Sequence, residues 1–251
     1  MNPLISSYNE LKANRIDLWF IDPLQLTNFS DDYIKSILSP DEITKFASFK
    51  HKEAQQIFLI TRLFTRLILS QYVLCSPINL QFSRNKHGKP ELLGNPNNIR
   101  FNLSHNNHLI VMAVTINDDI GCDIESPERR ISILPISKRY FAKQEHQALS
   151  LLTSEAQQQL FFKYWTLKEA FVKAVGVGIS LGLDTFYFNI NEVDDKQVIK
   201  LQFNDTYPLA KHNNWRFYQK TLNKQMLAIC RESSIEQSIN YIDAQSLFKD
   251  K

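Results

Sequence analysis

Two carboxylates, Asp123 and Glu125, stand one residue apart in the sequence IGCDIE. If this segment is a β-strand, both side chains lie on one face, because side chains alternate along a strand. Mg²⁺ takes oxygen ligands and binds through one or two carboxylates, while waters and substrate phosphates complete its shell. The pair therefore indicates either a magnesium site or, as is more usual for an isolated acidic pair, a solvated strand face.

A second set of residues recurs at helical spacing within WTLKEAFVK. Trp165, Glu169 and Lys173 are four residues apart and fall on one stripe of a helix. Taken alone, Glu169 and Lys173 are an ordinary solvated ion pair, which contributes about 0.2–0.5 kcal/mol. If the helix packs against the strand of Asp123, Glu169 becomes a third carboxylate and Lys173 a neighbouring cation. Such a set would suit a pyrophosphate bound through a metal ion.

Polar and basic residues elsewhere could bind phosphate. Ser104 and His105 end a predicted strand, where they either bind phosphate oxygens or satisfy the backbone of the following turn. A serine nucleophile is not predicted, because the chain has no G-x-S-x-G motif. Arginine presents a planar fork that matches phosphate, and a lysine on a turn can approach a ligand closely. The candidate cations are Lys45, Arg62, Arg66 and Lys89.

The composition argues against several classes of protein. The chain has 251 residues, of which 43% are apolar and 22% charged, as is ordinary for a globular protein. A net charge of +3 without a basic run does not predict nucleic-acid binding. The three cysteines are widely spaced, so we expect neither disulfides nor a zinc site, and a reducing cytoplasmic location. We expect no leader peptide and no membrane-spanning segment.

Hydrophobic periodicity predicts the elements that position these residues. Ser39, Pro40 and Glu42 have the spacing of a helix cap, a first helical residue and the closing acid of a capping box. Helices are predicted over 31–38, from 39 onward, over 53–74, 136–152 and 155–175. Strands are predicted over 15–21, 101–104, 109–115, 120–125, 185–190, 198–203, 215–221 and 226–231. Each half thus has helices followed by strands, which predicts a duplicated α+β architecture divided near residues 117–119, although no motif recurs in both halves.

Four motifs in order, HGKPEL (87–92), FNLSH (101–105), IGCDIE (120–125) and YWTLKEAFVKAVGVG (164–178), resemble those of the surfactin-type (Sfp-type) 4′-phosphopantetheinyl transferases. The resemblance covers the usual length of the family. It implies a pseudo-dimeric α+β fold with two halves, 1–117 and 118–251, each an antiparallel sheet packed with helices. It also implies an active site in the cleft between the halves.

The resemblance implies a reaction and roles for the motif residues. The family moves the 4′-phosphopantetheine arm of coenzyme A onto a serine of an apo acyl or peptidyl carrier protein and releases 3′,5′-ADP. By position, Asp123, Glu125 and Glu169 would hold Mg²⁺, whereas Lys173, Lys89, Ser104 and His105 would contact phosphates. Lys45 and Arg66 match basic positions near the 3′-phosphate of coenzyme A. Some members carry lysine where this chain has Glu42, so that phosphate would depend more on Lys45, Arg62 and Arg66.

The resemblance also assigns the proton transfer and the docking region. We expect Glu169, directly or through a metal-bound water, to accept the proton of the carrier serine. Lys173 is the competing base, which would need a lowered pKa. The carrier is expected to dock near residues 138–142, whose sequence KRYFA resembles the family's Arg-Phe-Phe stretch.

Three alternatives remain open from the sequence. The acidic residues could serve a Mg²⁺-dependent phosphohydrolase or nuclease, or the chain could be a non-catalytic module that binds carrier proteins. The third is the shorter holo-acyl-carrier-protein synthase class, whose chains assemble as trimers; with 251 residues this chain can hold both halves, so a monomer is expected. The motifs do not distinguish carriers of fatty-acid, polyketide or nonribosomal peptide biosynthesis.

Overall fold

A computed structural model describes residues 11–193, 196–204 and 214–248. The chain divides into two compact units. The first unit contains the described residues up to 85, residues 90–117 and the described residues from 237 onward. The second unit contains residues 86–89 and 118–236.

The units contain six α-helices and eleven strands within the described residues. The helices are α1 (Asp31–Ile37), α2 (Pro40–Ala47), α3 (Lys52–Val73), α4 (Ile133–Tyr140), α5 (Lys143–Ser150) and α6 (Ser154–Val175). The strands are β1 (Arg15–Ile21), β2 (Phe82–Arg84), β3 (Pro90–Leu92), β4 (Ile99–His105), β5 (Ile110–Ile116), β6 (Ile120–Glu125), β7 (Phe186–Val193), β8 (Lys196–Phe203), β9 (Trp215–Leu222), β10 (Gln225–Glu232) and β11 (Ser238–Asp243). The predicted α+β class is confirmed.

The first unit is built on a four-stranded sheet with the order β11-β1-β5-β4. Every residue of the central strand β5 except the last is buried. The long helix α3 has apolar residues at helical spacing, and its buried residues Ile60, Phe64 and Ile68 join the core of this unit. The capping box predicted from Ser39 and Glu42 starts α2, with both hydrogen bonds formed. β2 and β3 form a separate two-stranded ribbon.

The last strand, β11, belongs to the first unit, whereas the prediction placed all of 118–251 in the second half. β11 pairs in parallel with β1, so the sheet is not wholly antiparallel as expected. Asn240 of β11 donates a hydrogen bond to the buried carboxylate of Asp17 on β1. No residue of β11 is buried, and the strand therefore lacks the hydrophobic signal by which a sequence reveals a strand.

The second unit is built on the antiparallel sheet β6-β10-β9, with the hairpin β7-β8 beside it. α6 packs against β6 and β10. It ends at Gly176, whose positive φ of 74° is the left-handed conformation that glycine adopts readily after a helix. This helix and the sheet position the residues that the motifs single out.

The predicted helix over 136–152 is wrong in one respect, because two helices, α4 and α5, occupy it. Phe141 is extended at the break and stacks on Phe161 at 5.2 Å. The backbone N–H of Ala142 donates to Glu145 and so starts the next helix. Tertiary packing of one aromatic ring thus interrupts a sequence with helical periodicity. Among the described residues, no helix has the length and apolar character needed to cross a membrane.

Candidate active site

The carboxylates of β6 face the polar stripe of α6. The Nζ of Lys173 lies 2.6 Å from Oδ1 of Asp123 and forms an ion pair with it. Trp165 lies two turns earlier on the same stripe of α6. The helix and strand that the sequence predicted separately therefore bring their charged residues together, as the spacing of Trp165, Glu169 and Lys173 implied.

Gly121 allows β6 and α6 to approach this closely. A Cβ atom at Gly121 would lie 2.0 Å from the carbonyl oxygen of Ala170 and 2.4 Å from the backbone nitrogen of Ala174. Both distances are below any ordinary contact, and both neighbours are backbone atoms that cannot rotate away. Glycine is therefore the residue that fits where the strand backbone meets the helix backbone. This contact sets the distance between the carboxylates of β6 and the side chains of α6.

Asp123, Glu125 and Glu169 form the acidic group, a set whose charges repel one another. Burial raises the pKa of Glu169, and the charges of Asp123 and Glu125 raise it further. Burial and the charge of Asp123 likewise raise the pKa of Glu125. These directions are those expected for carboxylates in a partly desolvated place that carries like charge.

The pKa of Lys173 has opposing causes. Burial lowers the pKa of its ammonium group, but the charge of Asp123 and those of Cys122 and Glu169 raise it, and the net direction is upward. The ion pair with Asp123 thus keeps Lys173 protonated. In this state Lys173 supplies positive charge to a ligand, and its alternative role as the base stays a prediction.

The donor set suits a hard cation. The described residues contain no group of three His, Cys, Asp or Glu side chains already arranged to hold a metal ion. The acidic group nevertheless offers carboxylate oxygens, which are the ligands that Mg²⁺ takes, and a divalent cation would relieve their mutual repulsion. Metal binding by Asp123, Glu125 and Glu169 stays a prediction that their chemistry fits.

Lys89 belongs to the same unit and contacts the end of α6. Its Nζ donates to the carbonyl oxygen of Ala174 at 2.8 Å and lies 3.7 Å from Oδ1 of Asp119. A cation at the carbonyl end of a helix is favourable because the helix dipole is negative there. The predicted contact of Lys89 with phosphate is not tested by this geometry.

The first unit contains a basic cavity of about 850 Å³, named here for its cationic lining. Four cations line it, and three of them were predicted as phosphate ligands from the sequence. They are Lys45, Arg62, Arg66 and Arg84. His105 also lines the cavity and is exposed, whereas the neighbouring Ser104 is buried and is not among the lining residues. The two predicted residues of the FNLSH motif therefore differ in their access to this cavity.

Arg66 is held by the fold of the first unit. Its side chain is buried, its Nε lies 2.5 Å from the carboxylate of Glu42, and its Nη1 donates to the carbonyl oxygens of Pro77 and Leu80. The guanidinium thus joins α2 and α3 to the segment before β2. Its predicted contact with a phosphate remains a prediction, but its present partners are structural.

Arg62 is placed differently, one turn before Arg66 on α3. Its guanidinium lies 5.3 Å from the ring centroid of Phe58 in a cation–π arrangement. Its Nε has no hydrogen-bond partner within the described part of the chain, although the atom is buried. Burial lowers the pKa of Arg62, Glu42 raises it, and the nearby Arg84 lowers it. Crowded positive charge with an unused donor is an arrangement that an anion would stabilise.

Two residues of the basic cavity, Arg84 and Asn102, were missed from the sequence. Arg84 ends the three-residue strand β2, which was not predicted because so short a strand leaves no periodic pattern. Asn102 was quoted in the FNLSH motif without a role. Its place on β4, with Ser104 two residues later, was the available signal. A second cavity of about 660 Å³ shares Arg62 and His105 with the first and has a largely apolar wall.

Comparison with known proteins matches both parts of the chain to one family. The family model described as "4′-phosphopantetheinyl transferase superfamily" matches residues 119–230. A second model, "4′-phosphopantetheinyl transferase, N-terminal", matches residues 29–117. The matched regions meet near the division of the two units at Asn117 and Asp118.

Individual relatives support the same match. The 4′-phosphopantetheinyl transferase HetI of Nostoc is 34% identical over 68% of this chain and 72% of its own. The 4′-phosphopantetheinyl transferase Sfp of Bacillus subtilis is 31% identical over 66% of this chain and 73% of its own. The mouse L-aminoadipate-semialdehyde dehydrogenase-phosphopantetheinyl transferase is 27% identical over 85% of this chain and 74% of its own.

Proposed function

The chain belongs to the Sfp type of the 4′-phosphopantetheinyl transferase superfamily, and we propose that it uses Mg²⁺ to move the phosphopantetheine arm of coenzyme A onto a serine of an apo carrier protein. The observation that carries this proposal is the meeting of the acidic group with Lys173 across β6 and α6. Two neighbouring elements there supply the oxygen ligands for a divalent cation and a cation for phosphate.

The reaction requires charge stabilisation more than covalent chemistry from the enzyme. The carrier serine hydroxyl attacks the β-phosphorus of coenzyme A, the bond from this phosphorus to the bridging oxygen breaks, and 3′,5′-ADP leaves with that oxygen. The serine proton passes to a base. When bound, Mg²⁺ would supply Lewis-acid stabilisation of the phosphate charge at Asp123, Glu125 and Glu169. Lys173 adds positive charge at the same place.

Glu169 is the proposed base. Its motif position and its half-buried place on the polar stripe of α6 support this role, either directly or through a metal-bound water. Lys173 has a raised pKa and stays protonated, so its proposed role is to neutralise phosphate charge. A Glu169→Gln variant that kept full activity at saturating Mg²⁺ would contradict this assignment.

The nucleotide part of coenzyme A is assigned to the basic residues. We propose that Lys89, Ser104 and His105 contact its phosphates, as their motif positions imply. Arg62 and Lys45 bind the 3′-phosphate in the basic cavity, together with Arg84. In this proposal Arg66 has a supporting role, because it fixes Glu42 and the segment before β2.

The carrier is proposed to dock on α4. Leu134 and Tyr140 expose apolar surface there, with 39% and 38% of their areas accessible. Lys138 and Arg139 lie exposed on the same short helix. An apolar surface with positively charged neighbours would complement an acidic helix of the carrier.

A cytoplasmic monomer is proposed. Cys75, Cys122 and Cys230 are free cysteines, which is compatible with the proposed reducing compartment. Both regions that match the family models lie in one chain, so a second copy is not needed to supply either. The elution volume from size exclusion at assay concentration would test the monomer.

The decisive experiment is intact mass spectrometry of apo carrier proteins after incubation with the enzyme, coenzyme A and Mg²⁺. We expect a mass gain of one phosphopantetheine, which EDTA and the Asp123→Ala variant abolish. A carrier serine→alanine variant is the control for the site of attachment. Binding of carriers without a mass gain would instead favour the non-catalytic module, and Mg²⁺-dependent cleavage of DNA or RNA would favour the nuclease.

A further inference from the structure

Lys173 forms its ion pair with Asp123, which is one of the residues expected to bind the metal ion. Oδ1 of Asp123 lies 2.6 Å from the ammonium nitrogen, and only 7% of the Asp123 side chain is accessible. A metal ion held by Asp123 would therefore lie close to the ammonium group of Lys173. The Lys173 side chain is 28% accessible, so a ligand that arrives from solvent can contact it.

The charges in this place are unequal in number. The acidic group carries three negative charges when ionised, whereas Lys173 pairs with Asp123 and the mostly exposed Arg129 lies 3.5 Å from Glu125. The repulsion among the three carboxylates is therefore only partly offset. A divalent cation would relieve more of it than one ammonium group, but both cations would be drawn to the same carboxylate and would repel each other.

We propose that Lys173 is an internal counter-ion that competes with the metal ion for Asp123 and thereby couples metal binding to coenzyme A binding. The inference rests on the proposed function, which gives Lys173 a second partner in the coenzyme A phosphates. Without coenzyme A, Lys173 holds Asp123 and keeps metal affinity low. The phosphates attract the ammonium group away from Asp123 and offer the metal further oxygen ligands.

Reciprocity follows from this arrangement. If coenzyme A raises the affinity for the metal, the metal raises the affinity for coenzyme A by the same factor. Part of this coupling would arise from phosphate oxygens that bind the metal directly. The part due to Lys173 would be lost when its charge is removed, and this distinguishes the inference from ordinary bridging.

The test measures binding of Mn²⁺, as a probe for Mg²⁺, by electron paramagnetic resonance on the purified full-length protein. Titrations are run with and without coenzyme A and in the absence of any carrier. The Lys173→Met variant keeps the apolar stem and removes the charge. We expect it to bind Mn²⁺ alone about tenfold more tightly than wild type or better, as removal of a neighbouring positive charge implies. We also expect coenzyme A to strengthen Mn²⁺ binding less in this variant than in wild type.

Two further variants separate charge from damage to the fold. Lys173→Arg keeps the positive charge and should bind Mn²⁺ alone within about threefold of wild type. Lys163→Met removes a lysine ten residues earlier in α6 and should leave Mn²⁺ binding unchanged. Thermal melts of each protein establish that the binding curves describe folded protein.

The possible failures are distinguishable. Equal or weaker binding of Mn²⁺ alone by Lys173→Met would overturn the counter-ion inference and leave the proposed metal-dependent transfer standing. Absence of Mn²⁺ binding by wild type, even with coenzyme A, would overturn the metal assignment and the inference with it. Tighter binding by Lys173→Met, combined with slower phosphopantetheine transfer, is the result that supports both.

Discussion

The acidic group of the second unit and the basic cavity of the first unit use charged residues in different ways. In the second unit, the partner of Lys173 is Asp123, so the ion pair lies within the candidate site. In the first unit, the partners of Arg66 are Glu42 and three backbone carbonyls, and these contacts hold the fold. Arg62, one turn away, has a donor atom without a partner among the described residues.

This difference shows that a cation lining a cavity is not thereby a ligand for its contents. Arg66 and Arg62 share a helix, a cavity and a residue type, and the sequence alone treats them alike. The hydrogen bonds of the two arginines distinguish their roles. A buried guanidinium whose donors serve carbonyl groups would lose those bonds if it turned to a phosphate.

The largest effect is expected on stability, when Arg66 is replaced. Arg66→Met removes its hydrogen bonds to the carbonyls of Pro77 and Leu80 and leaves Glu42 mostly buried without its counter-charge. Breaking a buried pair from one side costs about 3–5 kcal/mol of the free energy of unfolding. Urea denaturation of the purified variant would measure the loss. The KM for coenzyme A of the folded variant should change by less than about threefold.

Arg62→Met is the matched variant on the next turn of α3. It should lower the free energy of unfolding by about 1 kcal/mol or less, because the cation–π contact with Phe58 is lost. Loss of a charge-assisted contact to phosphate should raise the KM for coenzyme A by about tenfold or more. If Arg66→Met raised this KM as much as Arg62→Met did, the division of roles between the two arginines would be wrong.

The second effect concerns the contact that builds the acidic site. In Gly121→Ala the new methyl group would collide with backbone atoms of Ala170 and Ala174, so α6 must move away from β6. Misplacement of catalytic groups by about 1 Å can cost about 100-fold in rate, and a loss of at least this size is expected in the carrier mass assay. Circular dichroism would show whether the helices remain.

A second-site variant sharpens the Gly121 prediction. The atoms that a Cβ would meet belong to the backbone of α6, so removal of a side chain cannot make room for it. The double variant Gly121→Ala with Ala174→Gly should therefore be no more active than the single one. Recovery of activity in the double variant would show that side-chain crowding, and not the approach of the two backbones, makes glycine necessary.

The two regions also differ in how far their sequences predicted them. Asp123 and Glu125 share a strand face, and Glu169 and Lys173 share a helix stripe, so local periodicity placed both pairs correctly. The two pairs come together only because β6 packs against α6. The sequence did not predict this packing, which entered the prediction only as an assumption. The bounds of most helices and strands followed from the same periodicity.

The remaining features depended on tertiary contacts without a local pattern. The partners of Arg66 come from residues 11 to 24 positions away, and three of them are carbonyl groups that every residue possesses. β11 has no buried residue, and its pairing with β1 joins opposite ends of the chain. Phe141 interrupts a helical pattern because an aromatic cluster elsewhere in its unit holds its ring.

The smallest effect tests whether the acidic group is built at a cost to stability. Glu169 has a pKa above its ordinary value, so the folded protein binds this proton more tightly than the unfolded chain does. Stability from this group is therefore present below the ordinary glutamate pKa and is lost as the pH rises through the raised value. Near neutral pH without metal, Glu169 is ionised in wild type and this lowers the free energy of unfolding. The glutamine of Glu169→Gln cannot ionise, so the variant avoids this loss.

Glu169→Gln should accordingly melt higher than wild type in EDTA at about pH 7.5, by roughly 2–4 °C, which corresponds to ~1 kcal/mol in a chain of this size. The difference should shrink as the pH is lowered into the acidic range, because wild-type Glu169 then becomes protonated at a higher pH than an ordinary glutamate. Glu155→Gln, an exposed acid in the first turn of the same helix, is the control and should not raise the melting temperature. A Glu169→Gln protein that melted no higher than wild type in EDTA would show that the acidic group carries no net repulsion. The competition between Lys173 and the metal ion would then have lost its electrostatic basis, whereas Arg62 and Arg66 would keep their separate roles.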